Sequence, residues 1–234
     1  MSTHSKVLVL LGAPGAGKGT QAPNLAERLG LLHLATGDMF RAAVRDATPL
    51  GVLAKGYMDL GELVPDELTI RMLLDRLRRP DAEGGVILDG FPRTVGQARA
   101  LDEALAAEGV RVESAPYIEV PQDELVRRLS GRWICRANSH PFHEQLNPPR
   151  VAGVCDEDGS DLYQRQDDRA DVVQARLDAQ LPPFREVVEH YRAAGVLIAV
   201  DGTKSIDLVT KELLAALLAS GDRDASAHGT PDRA

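Results

Sequence analysis

A glycine-rich stretch near the start of the chain has residue types and spacing suited to binding phosphate. The segment GAPGAGKGT follows the apolar run Val7–Leu11 and matches the pattern G-x-x-x-x-G-K from Gly12 to Lys18. Its glycines would let backbone N–H groups face an anion at the start of a helix, and Lys18 would reach the outer phosphates. A P-loop usually continues with a Ser or Thr that binds magnesium, but Gly19 stands here. The stretch therefore predicts nucleotide binding and leaves open how a metal ion would be held.

The composition argues against several classes of partner. A formal net charge of −8 over 234 residues does not fit general nucleic-acid binding, which needs a basic face. No apolar run approaches the ~20 residues of a membrane span, and the start MSTHSK lacks the apolar core of a signal peptide. Two cysteines are too few for a disulfide framework. We therefore expect a cytoplasmic protein without nucleic-acid or membrane partners.

Hydrophobic periodicity predicts alternating strands and helices. Short apolar runs suit strands that are buried on both faces of a parallel sheet, and the amphipathic stretches between them suit helices. This alternation predicts right-handed crossovers and an α/β fold with a P-loop doubly wound parallel sheet. The predicted strands are Val7–Leu11, Leu31–Leu34, Val86–Leu88, Tyr117–Val120 and Val196–Val200. The predicted helices are Lys18–Leu29, Asp66–Arg79, Thr94–Glu108, Gln122–Leu129, Ala170–Ala194 and Ser205–Leu218.

Two stretches interrupt this alternation and divide the chain. Residues 35–64 insert short helices after the second strand, and residues 131–168 have little helical pattern. The core would comprise residues 1–34, 65–130 and 169–219, with the two insertions as lids. The tail, residues 220–234, lacks apolar periodicity, and we expect it to be disordered.

Six motifs occur in the order found in long-lid adenylate kinases: GAPGAGKGTQA, TGDMFRAAV, LGELVPDE, LDGFPRTVGQA, NPPRVAGVCDEDG and LYQRQDD. The chain resembles this family from about Lys6 to Leu218. G-K-G-T is the normal form in the family, so the resemblance implies an intact nucleotide site. It also implies that Mg²⁺ binds with ATP and is held through water by a strand-end aspartate, here Asp89. The alternative role for Asp89 is to cap the following turn.

The resemblance implies a monomeric enzyme that transfers a phosphoryl group from ATP to AMP, giving two ADP. Such a transfer needs two aligned phosphate chains with their charge neutralised, which favours arginines over a covalent nucleophile. The catalytic residues would be Lys18, Asp89, Arg93, Arg132, Arg165 and Arg176. ATP would bind at Gly15, Ala16, Gly17, Lys18, Gly19, Thr20, Arg128, Arg132, Pro141, Phe142 and Lys204, with Phe142 stacked on the adenine and Pro141 mainly packing. AMP would bind at Thr36, Arg41, Glu62, Leu63, Val64, Gly90, Phe91, Pro92, Arg93, Gln97, Arg165 and Arg176.

Two polar residues bear on the choice of acceptor base. The Gln97 amide matches the N1 and N6 edge of adenine, and by resemblance Thr36 begins a turn of the acceptor site. UMP/CMP kinases share GKGT and DGFPR but generally have alanine in place of this threonine, and a short lid. The alternatives are therefore a UMP/CMP kinase, a catalytically silent nucleotide-sensing module, or a P-loop kinase of a small metabolite. Thr36 could instead cap a helix, Gln97 could lie at the surface, and Arg128 could pair with Glu124.

The 131–168 insertion matches neither common form of the family, which has four zinc-binding cysteines or a cluster of His, Ser, Asp and Thr. The residues at those positions are Cys135, Asn138, Cys155 and Asp158. One hypothesis is a structural zinc site whose ligands are Cys135, His140, Cys155 and Asp158, with His143 in reserve. The other is a metal-free cluster in which Asn138 and Asp158 are hydrogen-bonded and the cysteines are small buried apolar groups.

Overall fold

The computed structural model describes residues 6–59, 64–165 and 168–227. Its central sheet has the strands β1 (Val7–Gly12), β2 (Leu32–Ala35), β3 (Val86–Asp89), β4 (Ala115–Glu119) and β8 (Leu197–Asp201). They are all parallel, in the order β2-β3-β1-β4-β8. The chain builds the sheet first to one side of β1 and then to the other, which confirms the predicted doubly wound fold. In such folds the ligand site lies at the carboxyl edge of the strands.

The α-helices of the described residues alternate with these strands. They are α1 (Lys18–Leu29), α2 (Thr36–Arg45), α3 (Pro49–Asp59), α4 (Asp66–Leu77), α5 (Val95–Ala107), α6 (Gln122–Ser130), α7 (Ala170–Ala193) and α8 (Ile206–Ala227). The predicted strand and helix bounds agree with these to within two residues, except at the end of α8. None of the helices in the described part of the chain has the length and apolar character needed to cross a membrane.

The carboxyl-terminal tail differs from the prediction. α8 continues to Ala227, whereas the sequence predicted a helix that ends at Leu218 and disorder from residue 220. The added stretch contains no proline, the residue that most strongly ends a helix, and the helix continues there without an apolar stripe. Residues 228–234 of the predicted tail lie outside the described residues.

The sheet is buried on both faces, as its apolar strands predict. All of β1 is buried, with Val7 and Val9 in one apolar cluster and Leu8 and Leu10 in the other. Helices α4 and α5 and the second half of α7 cover the first face. Helices α1, α6 and α8 and the first half of α7 cover the second. This packing holds the carboxyl ends of the strands in one fixed edge.

The two insertions have small cores of their own. Helices α2 and α3 pack through Phe40 and Ala54, together with Val64 at the end of the 35–64 insertion. The 131–168 insertion forms an antiparallel sheet in the order β6-β5-β7, with strands β5 (Arg132–Cys135), β6 (Pro141–His143) and β7 (Leu162–Tyr163). These separate cores fit the predicted division into a core and two lids, which remains a prediction.

Leu101→Ala should destabilise the protein by about 2–5 kcal/mol, because it opens a cavity under α5 at a fully buried side chain. The matched control is Leu218→Ala on α8, where the side chain is 62% exposed and we expect a change within about 0.5 kcal/mol. Urea unfolding followed by circular dichroism measures both. Equal free-energy changes for the two variants would contradict the core described here.

Candidate active site

The phosphate-binding turn connects β1 to α1 through residues 13–17. Gly15 and Gly17 have φ angles of 85° and 99°, in the left-handed region that favours glycine. A Cβ atom on Gly15 would also lie 2.9 Å from Cγ of Leu129, so a larger residue would push the turn away from α6. Gly17 has no side chain to cap α1, which leaves the positive end of the helix open toward an anion.

Lys18 is the first residue of α1 and lies back over this turn. Its Nζ donates to the carbonyl oxygens of Gly12 and Ala13 over 2.6 and 3.3 Å. Burial lowers the pKa of Lys18 to about 8, and the charge of Asp89 opposes this change. The nearby charges of Arg93, Arg132 and Arg176 lower it further, which shows that the structure brings these predicted catalytic residues to Lys18.

A buried carboxylate that the sequence analysis did not assign holds two of these arginines. Asp168 is fully buried and accepts from Nε and Nη2 of Arg132 over 2.7 and 2.6 Å. Nη1 of Arg176 donates to the same carboxylate over 2.8 Å. Burial lowers the pKa of Arg132, and the charge of nearby Arg165 lowers it further, so Arg165 lies in the same cluster. In the sequence, the sign of a carboxylate partner for these arginines was the motif LYQRQDD, in which Asp168 is one of two acidic residues that follow Arg165.

The loop after β3 brings the other predicted residues to this edge. Asp89 ends β3 and is 9% exposed. The carbonyl oxygen of Gly90 accepts from Nε of Arg93 over 2.9 Å and from the hydroxyl of Thr36 over 3.2 Å. His33 on β2 was not predicted; its Nε2 is buried, has no hydrogen-bond partner among the described residues, and lies 3.5 Å from Oδ2 of Asp89. The pairing of β2 with β3 brings His33 to Asp89, and hydrophobic periodicity alone does not show which strands are neighbours.

Gln97 is buried rather than at the surface. Its amide is bonded on both sides, donating to Asp66 and accepting from the backbone N–H of Arg93, each over 2.7 Å. Phe91 lies in the core and is joined to Pro92 by a cis peptide bond, and Arg41 pairs with Asp38. The predicted AMP-binding residues Glu62 and Leu63 lie outside the described residues.

Two cations predicted to contact ATP are paired next to the loop after β8. Nε of Arg128 donates to Glu124 over 2.7 Å, and Nη2 donates to the carbonyl oxygen of Gly202 over 2.9 Å. The hydrogen bonds from Arg127 and Arg128 lower the pKa of Glu124 to about 2. Lys204 pairs with Glu212 over 2.7 Å, and this bond raises the pKa of Lys204. The predicted alternative for Arg128, an ion pair with Glu124, is therefore present, together with a bond to the predicted ATP loop.

The roles predicted for Pro141 and Phe142 do not fit the structure. Phe142 is 7% exposed and packs against the cysteines and Leu162 in the core of the 131–168 insertion. Pro141 is exposed on the same strand. Phe142 rather than Pro141 therefore does the packing here, and stacking of Phe142 on the adenine remains a prediction that this arrangement does not support.

Four side chains of this insertion meet in one cluster. Ligand atoms of Cys135, His140, Cys155 and Asp158 all lie within 4.8 Å of one another. Nδ1 of His140 lies 3.3 Å from the sulfur of Cys155 and 3.5 Å from Oδ2 of Asp158. Hydrogen bonds, chiefly from Ser160, hold the pKa of Asp158 well below its usual range. The donor set therefore suits zinc in type and number.

The same cluster contains features of the metal-free alternative. Nδ2 of Asn138 donates to Oδ2 of Asp158 over 2.8 Å, and the Cys135 thiol donates to the same oxygen over 3.1 Å. His143, the second candidate for the histidine ligand of zinc, makes its contacts outside this cluster. Its Nδ1 accepts from two backbone N–H groups over 3.0 Å, and its Nε2 lies 3.4 Å from the carbonyl oxygen of Arg127.

Comparison with known proteins agrees with this site. The family model for adenylate kinase matches residues 10–196. The adenylate kinase of Streptomyces griseus is 49% identical over 216 residues, which cover 92% of this chain and 99% of that protein. The adenylate kinase of Carboxydothermus hydrogenoformans is 49% identical over 210 residues, covering 90% of this chain and 98% of that protein. The chain therefore belongs to the adenylate kinase family.

Proposed function

We propose that the protein transfers the terminal phosphoryl group of ATP to AMP, giving two ADP, at the cation cluster of Lys18, Arg93, Arg132 and Arg176. An oxygen of the AMP phosphate attacks the terminal phosphorus, and the bond to the leaving ADP oxygen breaks in line. The observation that carries the proposal is that Arg132 and Arg176 share the buried carboxylate of Asp168, while their charges and that of Arg93 act on Lys18. Fixed cations at the transferring group stabilise its transition state. A sensor that only binds nucleotide would not need them there.

Asp89 fits the Mg²⁺ that adenylate kinases use with ATP. It ends a strand beside the phosphate turn, and one carboxylate there can hold an ion that keeps several of its waters. The bound ion would neutralise charge on the phosphates. In this assignment Gly19 needs no hydroxyl, because Asp89 takes the part usually played by the P-loop Ser or Thr.

The acceptor assignment depends on Thr36 and Gln97. Both are 3% exposed, and both are bonded to the loop that carries Arg93: Thr36 through Gly90, and Gln97 through the Arg93 backbone. These bonds would link recognition of the AMP base to the position of a phosphate-binding arginine. Closure of the two insertions would exclude water from the transfer. A monomeric state and a cytoplasmic location remain predictions.

We also propose that the 131–168 insertion binds a structural Zn²⁺ through Cys135, His140, Cys155 and Asp158. The support is the donor set itself, two sulfurs, an imidazole nitrogen and a carboxylate oxygen within one ion's reach. Asn138 is a poor zinc ligand, and His140 takes the fourth position instead. Zinc would displace the thiol proton that now bonds Cys135 to Asp158, since the thiolate is the ligand.

With ATP and Mg²⁺, we expect rapid ADP formation from AMP and slow transfer to UMP, CMP and GMP. Gln97→Leu should raise the KM for AMP by about 10-fold or more with a smaller effect on kcat, because it removes hydrogen bonds to the base. A coupled ADP assay measures both, and Gln174→Leu at an exposed site of α7 is the control. Robust transfer to UMP or CMP with little to AMP would refute the acceptor assignment.

We expect kcat/KM for ATP to fall as pH rises above 8, because the folded-state pKa of Lys18 is about 8 and its positive charge is lost there. Bound phosphates would raise this pKa, so kcat should persist to higher pH than kcat/KM. Lys18→Arg keeps the charge at all these pH values and should lose this fall, although its turnover is lower. A wild-type kcat/KM that stays constant to about pH 9.5 would contradict the role of the Lys18 charge.

Protein purified without chelator should contain about one zinc per chain, and a chelator should lower its melting temperature, because metal binding is linked to folding. Elemental analysis and thermal melting measure this. Cys155→Ser should lose the metal, whereas Asn138→Ala should keep it and disturb only the hydrogen-bonded alternative. Less than about a tenth of an equivalent of zinc, with no chelator effect on melting, would retire the zinc proposal and leave the kinase assignment intact.

A further inference from the structure

The side-chain amide of Gln97 lies between two groups of opposite polarity. Its Nε2 donates to Oδ1 of Asp66, and its Oε1 accepts from the backbone N–H of Arg93, each over 2.7 Å. A carboxylate only accepts hydrogen bonds and a backbone N–H only donates, so both neighbours require the same amide orientation. The two ends of a glutamine amide are otherwise nearly identical in shape, and the hydrogen-bond network alone decides between them.

Asp66 is itself held in place. It is the first residue of α4, and its second oxygen accepts from the hydroxyl of Thr94 over 3.3 Å. Thr94 caps α5 by accepting from the backbone N–H of Gln97 over 3.2 Å. The three residues therefore form a closed ring of hydrogen bonds that joins the first turns of the two helices. Asp66 lies two residues after the 35–64 insertion, at the base of the proposed AMP site.

We infer that Asp66 is a positioning residue that selects adenine over 6-oxopurines by fixing the Gln97 amide, an inference that rests on the proposed function. The amide has a second N–H and a second lone pair, and neither has a partner among the described residues. They match the N1 acceptor and N6 donor of adenine. A 6-oxopurine presents an N1–H donor and an O6 acceptor, so it requires the amide turned by about 180°.

Asp66 makes the turned amide unfavourable. In that orientation Oε1 would face the Asp66 carboxylate and Nε2 would face the Arg93 N–H. Both hydrogen bonds would be lost, and like groups would oppose each other at each end. Asp66→Asn removes the constraint at one end, because an asparagine amide can present either an acceptor or a donor to Gln97, while the Arg93 N–H still opposes the turned amide at the other end.

Steady-state kinetics with AMP and IMP as acceptors test this role. IMP has the N1–H and O6 of guanine without its 2-amino group, so it probes this edge alone. Asp66→Asn should lower the AMP-to-IMP ratio of kcat/KM by roughly 10- to 100-fold, mainly through KM. The control is Glu67→Gln, which removes the next carboxylate in the same helical turn and lies outside the ring of hydrogen bonds; its ratio should stay unchanged.

Each further outcome decides a different part of the inference. An unchanged ratio in Asp66→Asn, when Gln97→Leu lowers it, would overturn the role of Asp66 and keep the proposed function. An unchanged ratio in both variants would overturn base recognition by Gln97 as well, and no transfer to AMP by the wild type would refute the function itself.

If Asp66→Asn does not fold, NMR of the wild-type protein tests the inference instead. The Nε2 protons of Gln97 should exchange with water more slowly than those of exposed Gln145, and equal rates would overturn the inference.

Discussion

Mutual repulsion among the cations is the constraint on which the site depends. Burial lowers the pKa of Lys18, and the positive charges of Arg93, Arg132 and Arg176 lower it further. The fold keeps them together with carboxylates, of which Asp168 is fully buried and binds Arg132 and Arg176 at once. Removing one partner from a buried ion pair costs about 3–5 kcal/mol, so this carboxylate fixes the arginines before any nucleotide arrives.

Such fixed arginines still have donors to offer. A guanidinium has five N–H groups, and Arg132 gives Nε and Nη2 to Asp168. Phosphate oxygens can therefore approach Arg132 at Nη1 without breaking the pair. Lys18 differs, because its ammonium donates to the carbonyl oxygens of the turn and must exchange those bonds for phosphate. In the proposed mechanism, the turn thus holds Lys18 beside the site where its charge would act.

The parts of this structure that depend on local pattern were predictable from the sequence. Apolar runs gave the strands, and the glycine spacing placed Lys18 at the start of α1. The parts that depend on pairing between distant segments were not. Asp168 meets Arg132 across 36 residues and Asp66 meets Gln97 across 31, while no periodicity links the members of either pair. The burial of Phe142 was also not predictable, because β6 buries two consecutive side chains, against the alternation expected of a strand.

Each of the two insertions has only a small apolar core, and the two are stabilised in different ways. Helices α2 and α3 satisfy their backbone groups internally and need few buried side chains. The antiparallel sheet of the 131–168 insertion has a core of four buried residues, two of them cysteines, which is too small to hold a sheet by apolar burial alone. The cluster at Asp158 adds a side-chain linkage between two turns, 135–140 and 155–158, whose backbones each pair with residues 160–162. If the insertion acts as the proposed lid, this internal linkage would let it move as one body against the core.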